Sequence, residues 1–147
     1  MGIKIGDLVE RFRFIYEERM RDLPIVNPRL EVEAVGFDRW EDQDLGVLIT
    51  PWFMNLVLLP DAEAFGDRLQ GDLIDCEFPS GNCELTVCHD EQLGTYLAAV
   101  LFRTVVDFPD QETARAIAED ALANILVEPD AEAGDISRRD LLRGLQG

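Results

Sequence analysis

The sequence predicts a single α+β domain: an antiparallel sheet of five or six strands, with one helix towards each end of the chain. Three observations carry that prediction. An almost unbroken apolar run, Gly46 to Pro60, is interrupted only at Thr50-Pro51. Each half is too short to cross a bilayer, so the run reads as two buried strands joined by a corner. Segments 74–78 and 83–87 alternate apolar with polar residues on either side of Pro79-Ser80-Gly81-Asn82, which is the pattern of a hairpin. Segments 6–22 and 107–127 instead repeat their apolar residues at the spacing of amphipathic helices.

In chain order, Gly6 to Asp22 sets Leu8, Phe12, Ile15, Tyr16 and Met20 close to one face, with Glu10, Glu17 and Glu18 largely opposite. Asp7 suits the cap or the first turn, and Pro24 ends the helix. Leu30 to Ala34 alternates apolar with acidic residues, as an outer strand with one wet face does. A polar turn, Asp38 to Asp44, returns the chain into Leu45 to Thr50, and Phe53 to Leu59 follows as a third strand. Pro60 to Gly71, with Asp61, Asp67 and two glycines, reads as a loop with at most one helical turn. After the hairpin, Val100, Phe102, Thr104, Val105 and Val106 tip Leu97 to Val106 towards a last strand. The closing helix repeats Ala114, Ile117, Ala118, Ala121, Leu122 and Ile125, and Asp107 or Asp110 caps it beside Pro109.

With 147 residues, 47% of them hydrophobic, the chain buries one sizeable core. A formal net charge of -17 repels phosphate backbones and anionic lipid, which argues against nucleic acid and membrane insertion. It attracts cationic partners, and it also serves plain solubility. The first residues, Met1 to Asp7, lack the apolar core of a signal peptide, and Gly6 stands where a myristoylation motif needs Ser or Thr. Three cysteines fit reduced thiols, so the expected location is the cytoplasm.

No catalytic signature emerges. Cys76, Cys83, Cys88 and His89 are the soft-ligand group, yet they lack the Cys-x-x-Cys spacing that fixes two thiolates around zinc. Adjacent strand residues such as Cys88 and His89 point to opposite faces, which weakens a nucleophile pair. Cys76 and Cys83 suit small core hydrophobes on facing strands. The acidic residues are too scattered to single out a general acid and base, and no glycine-rich phosphate loop occurs. Trp52, Phe53, Met54 and Asn55 follow the corner, where large apolar groups form either a core plug or a recognition surface.

Val35-Gly36-Phe37, the run Leu45 to Pro60 with Ile49-Thr50-Pro51-Trp52-Phe53-Met54 at its centre, Phe78-Pro79-Ser80-Gly81, Leu93-Gly94-Thr95-Tyr96 and Arg138-Arg139-Asp140-Leu141-Leu142 resemble, in order, the HybE/HupJ family of nickel-iron hydrogenase assembly chaperones. The rubredoxin-like cysteine module that some members carry is missing from this sequence, which removes iron from the expectation. The resemblance implies a cytoplasmic accessory protein without enzymatic activity, cofactor or metal. Its client would be the hydrogenase small subunit precursor or that precursor's twin-arginine signal peptide, and other hydrogenase accessory proteins would be further partners. On this reading the acidic surface attracts the Arg pair while a groove bordered by Trp52, Phe53 and Met54 takes the apolar segment, with Asn55, Phe78 and Ser80 as further contact candidates. The competing reading is a thiol- or metal-handling protein of the same pathway, using Cys76, Cys83, Cys88 and His89.

Past Pro129 the composition changes, dividing the chain into a domain over 1–128 and, over 129–147, an acidic linker followed by a twin-arginine-like tail. Asp130 to Asp135 is small, polar and acidic, as linkers are, and the flexible segment after it turns basic and apolar. Ser137, Arg138, Arg139, Leu141 and Leu142 resemble a twin-arginine consensus, here without a following apolar segment. Three Arg and one Asp give this tail, residues 137–147, a charge of +2, leaving -19 on the rest. It is expected to mimic the client, on its own molecule or on a neighbour as a homo-oligomer.

Overall fold

The computed structural model describes residues 3–40, 43–60 and 68–126. Among them run α1 (Ile5–Ile15), continued by a π-helical turn (Tyr16–Met20), then β1 (Glu33–Trp40), β2 (Gln43–Thr50), β3 (Phe53–Pro60), β4 (Leu73–Phe78), β5 (Gly81–Asp90), β6 (Gly94–Phe102) and α2 (Gln111–Ile125). The strands form one antiparallel sheet in the order β1-β2-β3-β6-β5-β4.

Alternation along the strands divides the apolar residues between two faces. On one, Val47, Ile49, Met54, Leu56, Leu58, Leu85, Val87 and Leu97 meet Ala114, Ala118 and Leu122 of α2. On the other, Leu48, Val57, Leu59, Tyr96 and Ala98 meet Leu8 and Phe12 of α1. The central strands β2 and β3 thus lie between both helices, which explains why Gly46 to Pro60 reads as continuous rather than alternating apolar sequence. A flat sheet would hold its edges about 24 Å apart, at some 4.8 Å per strand. Trp40 on β1 and Phe78 on β4 instead bring their rings to 4.7 Å between centroids, so the sheet curls around α2 until its edges meet.

Several sequence expectations shift at their ends. The first helix keeps α-geometry only to Ile15 and closes with the π-helical turn, rather than running unbroken from Gly6 to Asp22. The first strand begins at Glu33 and continues through Asp38, Arg39 and Trp40, which pair with Leu45, Asp44 and Gln43, so the expected Asp38–Asp44 turn is mostly strand. A bulge at Gly36-Phe37 is the cause, since it breaks the alternation that would have marked the strand. Gly36 takes φ +66 there, and a Cβ at Gly46 would collide with the Phe37 ring, so both positions need glycine. The last strand stops at Phe102, short of Val106, and α2 starts at Gln111 with Asp110, not Asp107, as its cap: the Asp110 carboxylate accepts from the Thr113 N–H at 2.8 Å. Residues 1–2, 41–42, 61–67 and 127–147 lie outside the described residues, and with them most of the expected 60–71 loop and the whole of the expected linker and tail.

Candidate functional site

The β2–β3 corner is built by Thr50 and Pro51. Thr50, fully buried, accepts on its hydroxyl from the N–H groups of Trp52 (3.2 Å) and Phe53 (3.0 Å), which closes a two-residue turn between paired residues Thr50 and Phe53. The Pro51 carbonyl accepts from the Asn27 N–H at 2.7 Å. Asn27 is itself buried, and its side-chain amide donates to the carbonyls of Val105 (2.8 Å) and Phe108 (2.9 Å), which ties the loop after the π-turn to the corner and to the β6–α2 connection.

Trp52 and Phe53, half-buried, hold the end of the first helical segment in place. Trp52 stacks on Tyr16 with planes 8° apart, and Phe12 meets the edge of Phe53 at 5.8 Å. Met54 is a correction to the expected groove. One residue beyond Phe53 it faces the opposite side of the sheet, is fully buried against the α2 core and borders no surface. Phe78 is likewise buried, under Trp40 at the curled edge. Ser80 is exposed at the β4–β5 turn, three strands from β3 in the sheet order, and its N–H donates to the Ile125 carbonyl at the end of α2. Of the candidates, only Trp52, Phe53 and Asn55 share the α1 face.

Asn55 marks a border on that face. On one side it pairs with Leu48, 1% exposed beneath α1, and on the other with Val100, 56% exposed on β6. Beyond it the face continues over β6, β5 and β4 through Ala98, Thr86 and Leu73, the last of these 57% exposed. Asp75, Glu77 and Glu84 stand on the same side, all exposed and none in an ion pair among the described residues. Asp75 and Glu84 are direct cross-strand partners, an arrangement that like charges disfavour. The Oδ1 of Asn55, at the border, is shut off from solvent without a hydrogen-bond partner among the described residues. A buried orphan acceptor of this kind costs about 1–3 kcal/mol. Sequence reasoning missed Val100, Leu73 and the carboxylates. The signal was the alternation of Asp75 and Glu77 with Ile74, Cys76 and Phe78, read only as strand periodicity.

The thiols are divided by the sheet. Cys76 and Cys83 are cross-strand partners packed against the α2 core, as expected of small core hydrophobes, whereas Cys88 packs on the α1 face beside Tyr96. Burial pushes the Cys83 thiol up, with Glu84 adding to it, and burial also raises Cys88 against the hydrogen bond from Tyr96. Both shifts disfavour the thiolate that a nucleophile or metal ligand needs. The His89 ring is engaged at both nitrogens, by the Thr95 hydroxyl (2.8 Å) and the Arg68 carbonyl. Among the described residues no three His, Cys, Asp or Glu side chains gather as a metal site.

From the middle of α1, Arg11 bonds both carboxylate oxygens of Asp90 at 3.1 Å and pins the helix to the β5–β6 turn. Burial alone would raise Asp90, but the Gln92 N–H, the Arg11 guanidinium and the Leu93 N–H together hold it below the usual carboxylate range. No helix among the described residues is long and apolar enough to cross a membrane.

Comparison with known proteins gives a consistent result. A family model described as NiFe-hydrogenase assembly, chaperone, HybE matches residues 4–144. The hydrogenase expression/formation protein HupJ of Bradyrhizobium diazoefficiens is 40% identical over 149 residues, covering 95% of this chain and 87% of that protein. HupT of Azotobacter chroococcum, also a hydrogenase expression/formation protein, is 40% identical over 143 residues, covering 96% and 95%. The solution structure of HybE from Escherichia coli matches with a TM-score of 0.65 at 24% identity over 82% of this chain and 75% of that one, a likeness of fold.

Proposed function

The chain belongs to the HybE family of nickel-iron hydrogenase assembly chaperones, and from that premise we propose that its client is the immature hydrogenase small subunit, held in the cytoplasm through its twin-arginine signal peptide. The observation that carries this reading is the uncovered half of the α1 face. Exposed Val100 and Leu73 lie there beside Asp75, Glu77 and Glu84, carboxylates without ion-pair partners among the described residues. A segment that joins two Arg to an apolar stretch complements both features. The guanidinium groups form charge-assisted bonds to the carboxylates, and the apolar part covers Val100 and Leu73. Trp52, Phe53 and Asn55 border the same face and extend the apolar contact towards the corner, while Met54 and Phe78 support it from the core.

Such binding transforms nothing covalently and requires no cofactor. Its rate and affinity respond to salt, because attraction between exposed charges is screened over about 8–10 Å at physiological ionic strength. Co-purification tests the assignment: the chaperone should retain the small subunit precursor and lose most of it when the signal sequence is removed. Equal capture with and without the signal would refute signal recognition. Capture of another hydrogenase subunit or accessory protein in its place would refute the choice of client.

A further inference from the structure

We infer that the basic C-terminal tail of this chain, Ser137 to Leu142, occupies the uncovered acidic half of the α1 face of its own molecule until a client displaces it. The inference rests on the reading above only for the identity of the competitor.

Two observations carry it. The first is where the chain leaves the described structure. The last turn of α2 is tied to the β4–β5 hairpin by the bond from the Ser80 N–H to the Ile125 carbonyl (3.1 Å), so the tail departs beside the tip of β4, the edge strand that carries Asp75 and Glu77. Eleven residues, 127–137, separate the described helix from Arg138. Extended, they span roughly 36 Å, whereas Glu77 is three residues from Ser80, about 10 Å along the strand. That length reaches from the hairpin tip to the α1 face with room to spare. The second observation is complementarity. Arg138, Arg139 and Arg143 against Asp140 leave residues 137–147 at +2 and the remainder at -19, and Leu141 and Leu142 follow the Arg pair. On the face, carboxylates lie next to exposed Leu73 and Val100. Tethering sets the effective concentration of such a segment near the millimolar range, enough to fill a surface for which its intrinsic affinity is weak.

The test uses the full chain with Arg138→Glu and Arg139→Glu, and separately a chain ending at residue 136. Two readouts are taken: the methyl resonances of Val100 and Leu73, and the affinity of a synthetic twin-arginine signal peptide. Both variants should shift the methyl signals. Both should also tighten the peptide by about two- to tenfold, the factor by which a tether at millimolar effective concentration competes when its own affinity lies near that value. Unmoved methyl signals, or an affinity unchanged in a protein that still binds the peptide, would overturn tail docking and leave the client assignment intact. Shifted methyls in a protein that binds no peptide would support tail docking and sink the client assignment instead. Self-association that depends on concentration and disappears in both variants would place the tail on a neighbouring copy and overturn the intramolecular form.

Discussion

The two halves of the sheet face that carries α1 belong to one antiparallel sheet, yet they are finished differently. Over β1, β2 and β3 the face is apolar and sealed: Leu48 and Val57 are 1% exposed beneath Leu8 and Phe12. Towards β4 it opens: Tyr96 and Ala98 on β6 still lie buried beneath α1, but past them Val100 and Leu73 stand exposed with three carboxylates, two of them in unfavourable cross-strand contact. A sheet that needed only to be stable would have its second half covered, or its charges alternated in sign. On the proposed reading, the first half is scaffold and the second is the surface that meets the client.

The sharpest break between the halves is in stability. Leu48→Ala should cost about 2–5 kcal/mol in urea unfolding, and Val100→Ala less than about 0.5, because only the first leaves a cavity. Equal losses would remove the distinction. Asn27→Ala, at the sealed end, should cost about 1–3 kcal/mol by leaving the carbonyls of Val105 and Phe108 without their donor. A loss of only a few tenths would mean that the corner is held otherwise.

Acid sharpens the picture further. Burial would raise Glu33, but hydrogen bonds from Arg115 and Gln111 outweigh it and hold its carboxyl low, and Asp90 is held low as described. A carboxyl depressed in the folded state stabilises fully above its unfolded pKa, near 4, and loses that contribution as pH falls through the folded value. Stability should therefore drop below about pH 4. The double variant Glu33→Gln with Asp90→Asn should be less stable at neutral pH and should flatten that acid limb. A limb of unchanged steepness would contradict the assignment. The smallest effect belongs to the open half: Asp75→Asn with Glu84→Gln should stabilise by a few tenths of a kcal/mol, by relieving like-charge contact. Measurable destabilisation there would mean that the carboxylates serve the fold.

What could be read from the residues follows the same division. The β2–β3 run and the β4–β5 hairpin were legible because composition and alternation are local signals. The end of β1 was not, since the bulge at Gly36-Phe37 and the charged pair Asp38-Arg39 disguise a strand as a turn. Composition grouped Trp52, Phe53, Met54 and Asn55 together after the corner, whereas parity puts Met54 in the α2 core and leaves the other three on the α1 face. The open half-face was the least legible, because it depends on β6 lying between β3 and β5. That order sets Asn55 against Val100, residues far apart in sequence, and no local pattern announces it.

Recognition at the open half-face is tested most directly by titrating a twin-arginine signal peptide against the native chain and against Asp75→Asn, Glu77→Gln, Glu84→Gln combined, at low and at physiological salt. Loss of at least about tenfold in affinity, roughly 1.4 kcal/mol, with the fold intact and the salt dependence flattened, is the predicted result. Affinity and salt dependence indistinguishable from the native chain would contradict it.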